Sequence, residues 1–347
     1  MSMSSPIDFQ LLRRLSNAPG VSGFEDEVQA VVRTELEASC DEVRSDRLGN
    51  VIGLRRAADR SENTPRIVLA AHADEIGMMV KHISPEGWIR FQPIGGLHGL
   101  SIVSQTVVVH GREPVRGVIV PDSSATDTVT DLHDMWIDLG RPPEAVAKLV
   151  SVGDPITFDG EVSWLNDEVV LGRNFDDRIG SYCLVEAMRR LGPTHVDVYA
   201  VSTVQEEVGV RGAQVIAHAI QPDIGIAIDG SIVRGPFRGT HDPTCDFGGG
   251  AGVYLMDRLT IGDRRLVAFL FDLAERNGIR SQPNIGGGTD ASALQRTGPG
   301  ALATTIGAPV RYMHSTVQLC HVDDIEATVA LLTTFVEHAH ELLLESS

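Results

Sequence analysis

The chain has 347 residues, 42% of them hydrophobic, and a formal net charge of −18 from 29 basic and 47 acidic side chains. That length exceeds one comfortable core, so one large domain or two are expected. The acidic balance, without a basic stripe anywhere, argues against a nucleic-acid partner, and no apolar run reaches membrane-spanning length.

From the N-terminus, residues 7–18 and 24–38 carry apolar side chains at helical spacing, with Val28, Val31, Val32 and Leu36 on one face. EVRSDRLGNVIGLR (42–55) predicts a hairpin through Leu48-Gly49-Asn50, and PRIVLAAHAD (65–74) a buried strand that ends in polar residues. Between about 76 and 165 short alternating segments are punctuated by glycine and proline, the pattern of a small barrel or sandwich, with one helix at 142–150. A strand-like segment at 162–171 follows. From 176 onward α/β alternation returns. Helices are predicted at 177–191, 211–220, 266–278 and 325–344, and strands at 196–204, 223–229 and 301–307. The economical reading is an α/β core with a mixed sheet, formed by 1–75 and 166–347, interrupted by a small all-β domain at 76–165.

The four cysteines, Cys40, Cys183, Cys245 and Cys320, are far apart in sequence, so neither a metal knuckle nor a disulfide framework is expected. The N-terminal stretch MSMSSPIDFQLLRR lacks a long apolar segment. A cytoplasmic protein with reduced, buried thiols is the expectation.

Ligands of open α/β sheets bind beyond the carboxyl ends of the strands. There this chain places His72 and Asp74 after 65–71, Asp176 and Asp177 in NFDD, Glu206 and Glu207 in VQEEVG, Asp229 after IGIAI, and His314 in RYMHS. Taken singly, each has a structural reading: Asp229 or Asp177 as a helix cap, His72 as a core histidine. The adjacent glutamates resist such a reading, because apolar residues flank them and burying an unpaired carboxylate is costly. Together the groups form a nitrogen and oxygen donor set suited to zinc, cobalt or manganese, and large enough for two ions. One glutamate could ligate while its neighbour acts as general base. GGTDAS (287–292) reads as a turn before a short helix, or as a pocket wall with Asp290 meeting a positive group. His98 reads as a barrel turn. No G-x-S-x-G, H-E-x-x-H or Gly-Lys-Ser/Thr motif occurs.

AHADEIGMMV, NFDDRIG, VQEEVGVRGA, AIDG, GGTDAS and RYMHS, in this order, resemble the M42 family of dinuclear metallo-aminopeptidases, which includes tetrahedral and glutamyl aminopeptidases. The resemblance implies a zinc-peptidase-like α/β core whose inserted β domain is PDZ-like or barrel-like and takes part in assembly, commonly into dodecamers. It implies two divalent ions per chain, zinc or cobalt with manganese also suitable, and peptides with a free N-terminus as substrates. His72, Asp176, Glu207, Asp229 and His314 would be the metal ligands, with Asp176 bridging. Glu206 would be the general base and Asp74 would orient His72. Arg173 stands where relatives often carry lysine.

A deacylase or carboxypeptidase on the same core is one alternative. An endoglucanase, a label carried by some of the family, is another. The latter needs two carboxyls flanking one bond but no histidines, and this chain has few aromatics for a sugar-stacking cleft (10 Phe, 4 Tyr, 3 Trp). Selectivity for acidic N-terminal residues would follow from a basic residue in the pocket, for which Arg211, Arg234, Arg238 and Arg311 are candidates. The glycine-rich segment 231–250 is the candidate gate.

Overall fold

The computed structural model describes residues 7–122, 131–233 and 245–344. An eight-stranded sheet forms its centre, in the order Glu42–Ser45, Val51–Arg55, Asp197–Thr203, Arg66–His72, Ile224–Ile228, Leu302–Gly307, Ala251–Met256 and Ser281–Ile285. The four middle strands run parallel. Their near-continuous apolar sequence suits strands covered on both faces. Alternation along Arg66–His72 divides the coverage. Ile67, Leu69 and Ala71 join the larger core, with the helices Phe9–Asn17, Asp26–Glu37, Phe175–Arg190, Arg264–Arg276 and Val322–Leu344. Val68 and Ala70 face the helices Arg211–Ile220 and Ala291–Gln295.

Residues 77–158 leave this sheet and close a six-stranded barrel with its own core, including Met78, Phe91, Val107, Ile119 and Ile137. A third, five-stranded sheet joins Ser163–Asn166, Val169–Gly172, Gln318–His321, Pro309–Arg311 and Ser231–Ile232. Here the sequence expectation needs correction. Residues 162–171 are not one strand of the main sheet but a hairpin of this smaller sheet. The strands Ala251–Met256 and Ser281–Ile285, absent from the sequence reading, extend the main sheet at one edge.

A buried ionic cluster fastens the barrel's point of departure. Glu75 is 1% exposed and accepts from the backbone amide of Gly20 at 3.0 Å and from the guanidinium of Arg173. Arg178, fully buried, donates Nε to the carbonyl of Ala73 at 2.8 Å, and its Nη1 to the carbonyls of Leu15 and Ala18. Its Nη2 lies 3.4 Å from Glu75. Removing the one anion from two buried cations is strongly unfavourable. Glu75→Gln is therefore expected to destabilise the protein by about 3–5 kcal/mol, read as a lower urea midpoint. An unchanged midpoint would show that the arginines do not depend on Glu75.

Candidate metal and catalytic site

The carboxyl ends of the parallel strands converge on one cavity of about 690 Å³. His72 ends the strand Arg66–His72 and is 2% exposed. Its Nε2 lies 3.3 Å from Oδ1 of Asp176. Asp176 opens the helix Phe175–Arg190, where the backbone is not yet helical, and its other oxygen lies 3.2 Å from Nε2 of His314. One carboxylate thus spans two imidazoles. His314 Nε2 is also 3.7 Å from Oε2 of Glu207. Ligand atoms of His72, Asp176 and Glu207 lie within 4.8 Å of one another. Glu206 and Asp229 line the same cavity.

The barrel contributes too. Nδ1 of His314 sits 3.1 Å from the carbonyl of Gly96, and a Cβ on Gly96 would come within 2.6 Å of that nitrogen. Only glycine permits so close an approach.

The turn carrying the two glutamates is held from below. Asp74, fully buried, accepts from the amide of Glu206 at 2.9 Å and from that of Glu207 at 3.1 Å. It also accepts from the Ser22 hydroxyl at 2.6 Å, and its Oδ1 lies 3.3 Å from His72 Nδ1. Glu25 accepts from the amides of Gly23 and Gln205. Burial, reinforced by the charge of Asp74, raises the Glu25 pKa to about 7. These bonds let two neighbouring residues face one cleft, which a regular strand forbids.

The electrostatics are lopsided. Burial raises the Glu207 pKa to about 8, with repulsion from Asp176 adding to it. Burial also raises Glu206 well above the carboxylate range, despite the opposing pull of His72 and with help from Asp229. Asp229 rises through burial and the charges of Asp177 and Asp176. Asp176 goes the other way: burial opposes its charge, but hydrogen bonds from His314 and His72 prevail and lower it. The hydrogen bond to Asp176 raises the His314 pKa to about 9 against a burial penalty. Burial opposes a charge on His72 as well, yet its hydrogen bonds to Asp176 and Asp74 raise it well above the imidazole value.

A divalent cation fits this donor set. Oε1 of Glu207 is buried without a hydrogen-bond partner. Among the described residues the ion pairs of Asp176 and Glu207 are with histidines alone. Positive charge placed among these groups would satisfy an oxygen that the protein leaves unmatched.

A pH prediction follows from the same values. In the metal-free chain His314 is protonated below about pH 9 and Glu207 below about pH 8. Both must lose protons to ligate. Binding of zinc or cobalt is therefore expected to release protons at pH 7 and to tighten as pH rises toward 9. Calorimetry in two buffers of different ionisation enthalpy measures this; identical heats in both would contradict it.

Other expectations fare differently. Asp290 is 3% exposed and turns inward to accept from the Thr203 hydroxyl at 2.5 Å, while its neighbour Thr289 lines the cavity. Arg311 stacks its guanidinium 4.1 Å over the ring of Phe247. Arg211 bonds Gln205 at 3.2 Å. Neither Asp290 nor any of these two arginines is among the residues lining the cavity. Arg234, Arg238 and most of the candidate gate, 234–244, lie outside the described residues. His98, read as a mere turn, lines the cavity. Ser22 and Glu25 were missed. Their segment, PGVSGFED, holds two glycines and two acids at the junction of the helices predicted at 7–18 and 24–38.

Residues 49–331 match the family described as M42 glutamyl aminopeptidase. The lysyl aminopeptidase of Pyrococcus furiosus is 31% identical over 346 residues, spanning 95% of this chain and 97% of that protein. Aminopeptidase APDkam598 from the archaeon Desulfurococcus kamchatkensis is similar in structure, with a TM-score of 0.92 and 34% identity over 97% of this chain and 96% of the other. The TET1 peptidase of Pyrococcus horikoshii, described as assembling into a tetrahedron or a large octahedral shell, gives 0.84 and 31% over 94% and 98%.

Proposed function

The chain belongs to the M42 glutamyl aminopeptidase family, and from that premise we infer a metal-dependent aminopeptidase that removes N-terminal residues from peptides. The observation that carries the reading is the convergence of His72, Asp176, Glu207 and His314 beside Glu206 at the ends of the parallel strands.

Two divalent ions, zinc or cobalt with manganese also suitable, would be held by His72, Asp176, Glu207, Asp229 and His314. Asp176 would be shared, since its two oxygens already face different histidines. Such ions supply a Lewis acid for the scissile carbonyl and make water more acidic. Glu206 takes the proton from the attacking water and delivers it to the departing amine. Asp74 holds His72 in orientation and fixes the backbone of both glutamates. The substrate's free amino group enters among the cavity acids. A deacylase would use the same groups without needing that amine. An endoglucanase is disfavoured, because His314 engages Glu207, one of the two adjacent glutamates that would have to work as an acid pair.

The finer features belong to the same proposal. Residues 1–75 and 166–347 would form a zinc-peptidase-like catalytic domain, and 76–165 a PDZ-like or barrel-like insertion used in assembly. The protein works as a homo-oligomer, a dodecamer by likeness to its family, in the cytoplasm. Among the described residues no helix is long and apolar enough to cross a membrane.

The test is hydrolysis of aminoacyl-anilides after chelation, then with zinc, cobalt or manganese restored. Metal-dependent cleavage that vanishes on N-acetylation is expected. Cleavage of acetylated substrates instead would establish the deacylase.

A further inference from the structure

The cavity that holds the acids is also lined by a cationic side chain. Among the described residues that line it, Arg258 is the sole lysine or arginine. Its side chain is exposed, and among the described residues no ion pair or hydrogen bond engages its guanidinium. Its backbone, in contrast, is firmly held. Asp257, 5% exposed, accepts from the amides of Leu259 and Thr260, each at 2.6 Å. The amide of Asp257 donates to the carbonyl of Thr260 at 2.9 Å, and that of Arg258 to the carbonyl of Gly287 at 3.1 Å. The buried Thr289 hydroxyl lies 3.4 Å from the same aspartate. A turn fixed by a buried carboxylate thus presents an uncommitted guanidinium beside Gly287 and Gly288, which line the cavity with it.

The charge balance gives that guanidinium a partner. Asp176, Glu206, Glu207 and Asp229 line the cavity. Two divalent ions would match these four carboxylates, and among the described lining residues the guanidinium of Arg258 would remain as an unmatched positive charge. We propose that Arg258 is a specificity residue that binds a substrate carboxylate. The favoured substrates are then peptides whose N-terminal residue is acidic, or short peptides whose C-terminal carboxylate reaches the same guanidinium. A guanidinium grips carboxylate through paired, charge-assisted hydrogen bonds that an amide cannot reproduce. This inference rests on the aminopeptidase reading.

The experiment measures kcat/KM of the metal-loaded full chain on glutamyl, glutaminyl, leucyl and lysyl anilides, and on leucyl dipeptides with free or amidated C-termini. Glutamyl and glutaminyl substrates have nearly the same shape and differ in charge. The expected glutamyl over glutaminyl ratio is about 10–100-fold, falling toward one in R258Q and inverting toward lysyl in R258E. If instead the free dipeptide is favoured over its amide, and R258Q removes that preference, the carboxylate is the C-terminal one. Ratios near one in both series, or ratios that R258Q leaves unmoved, overturn the proposal. Absence of cleavage of every substrate with every metal would sink the aminopeptidase reading, and this inference with it.

Discussion

Glu206→Gln is expected to lower kcat about 10²–10⁴-fold, the usual contribution of a general acid–base group, while the protein binds divalent ions as before. The reasoning starts from position. Glu206 lines the cavity but is not in the tight group formed by His72, Asp176 and Glu207. Its backbone amide is held by Asp74, so glutamine keeps the turn and its shape. What glutamine lacks is the ability to take and return a proton. Burial and nearby acids raise the metal-free Glu206 pKa, so a neighbouring dication would be needed to return it to a useful base. Metal content by mass spectrometry, with kcat on an aminoacyl-anilide, separates the two contributions. Loss of metal in Glu206→Gln would identify Glu206 as a ligand and require a different base.

Much of this site was legible because its signal survives in short segments. A strand that is apolar through Ala71 and then polar at His72 and Asp74 announces its own end, and Glu206 and Glu207 do the same after Val204. The fold joins such ends because parallel neighbours share a direction, so their carboxyl ends line up. Asp176 is a partial exception. It arrives from a helix start after the smaller sheet, which no periodicity in 162–171 could distinguish from a core strand.

What stayed hidden depends on distant pairing. Ser281–Ile285, SQPNI, contains proline and alternates poorly, yet it forms an edge strand of the main sheet. In the sequence Glu75 is one more charge after a strand. It neutralises Arg173 and Arg178 from 98 and 103 residues away, an arrangement with no local signature. Asp290 invited a functional reading in GGTDAS, whereas the structure has it bonded to Thr203 at the end of the strand Asp197–Thr203. Arg258 escaped notice because a lone arginine in DRLT resembles any surface turn. Only the folded cavity distinguishes it from Arg211 and Arg311, which the sequence put forward.

Asp176→Asn should have the opposite signature to Glu206→Gln: weaker metal binding first, and lost activity as its consequence. Asp176 faces His72 with one oxygen and His314 with the other, so asparagine removes the group shared by both halves of the site. Altering residues that merely support ligands typically costs about 10–100-fold in metal affinity, and a shared ligand should cost more. The metal-free protein provides an independent readout. Hydrogen bonds to Asp176 are what hold His314 near a pKa of about 9, and they help hold His72 well above the ordinary imidazole value. With a neutral amide in that place both histidines should titrate at lower pH, because their cationic forms lose their closest anion. Imidazole resonances followed by NMR across pH 5–10 would show both midpoints falling. If Asp176→Asn keeps both midpoints and its metal, then Asp176 does not join the two histidines, and the centre must be built around Glu207 and Asp229 instead.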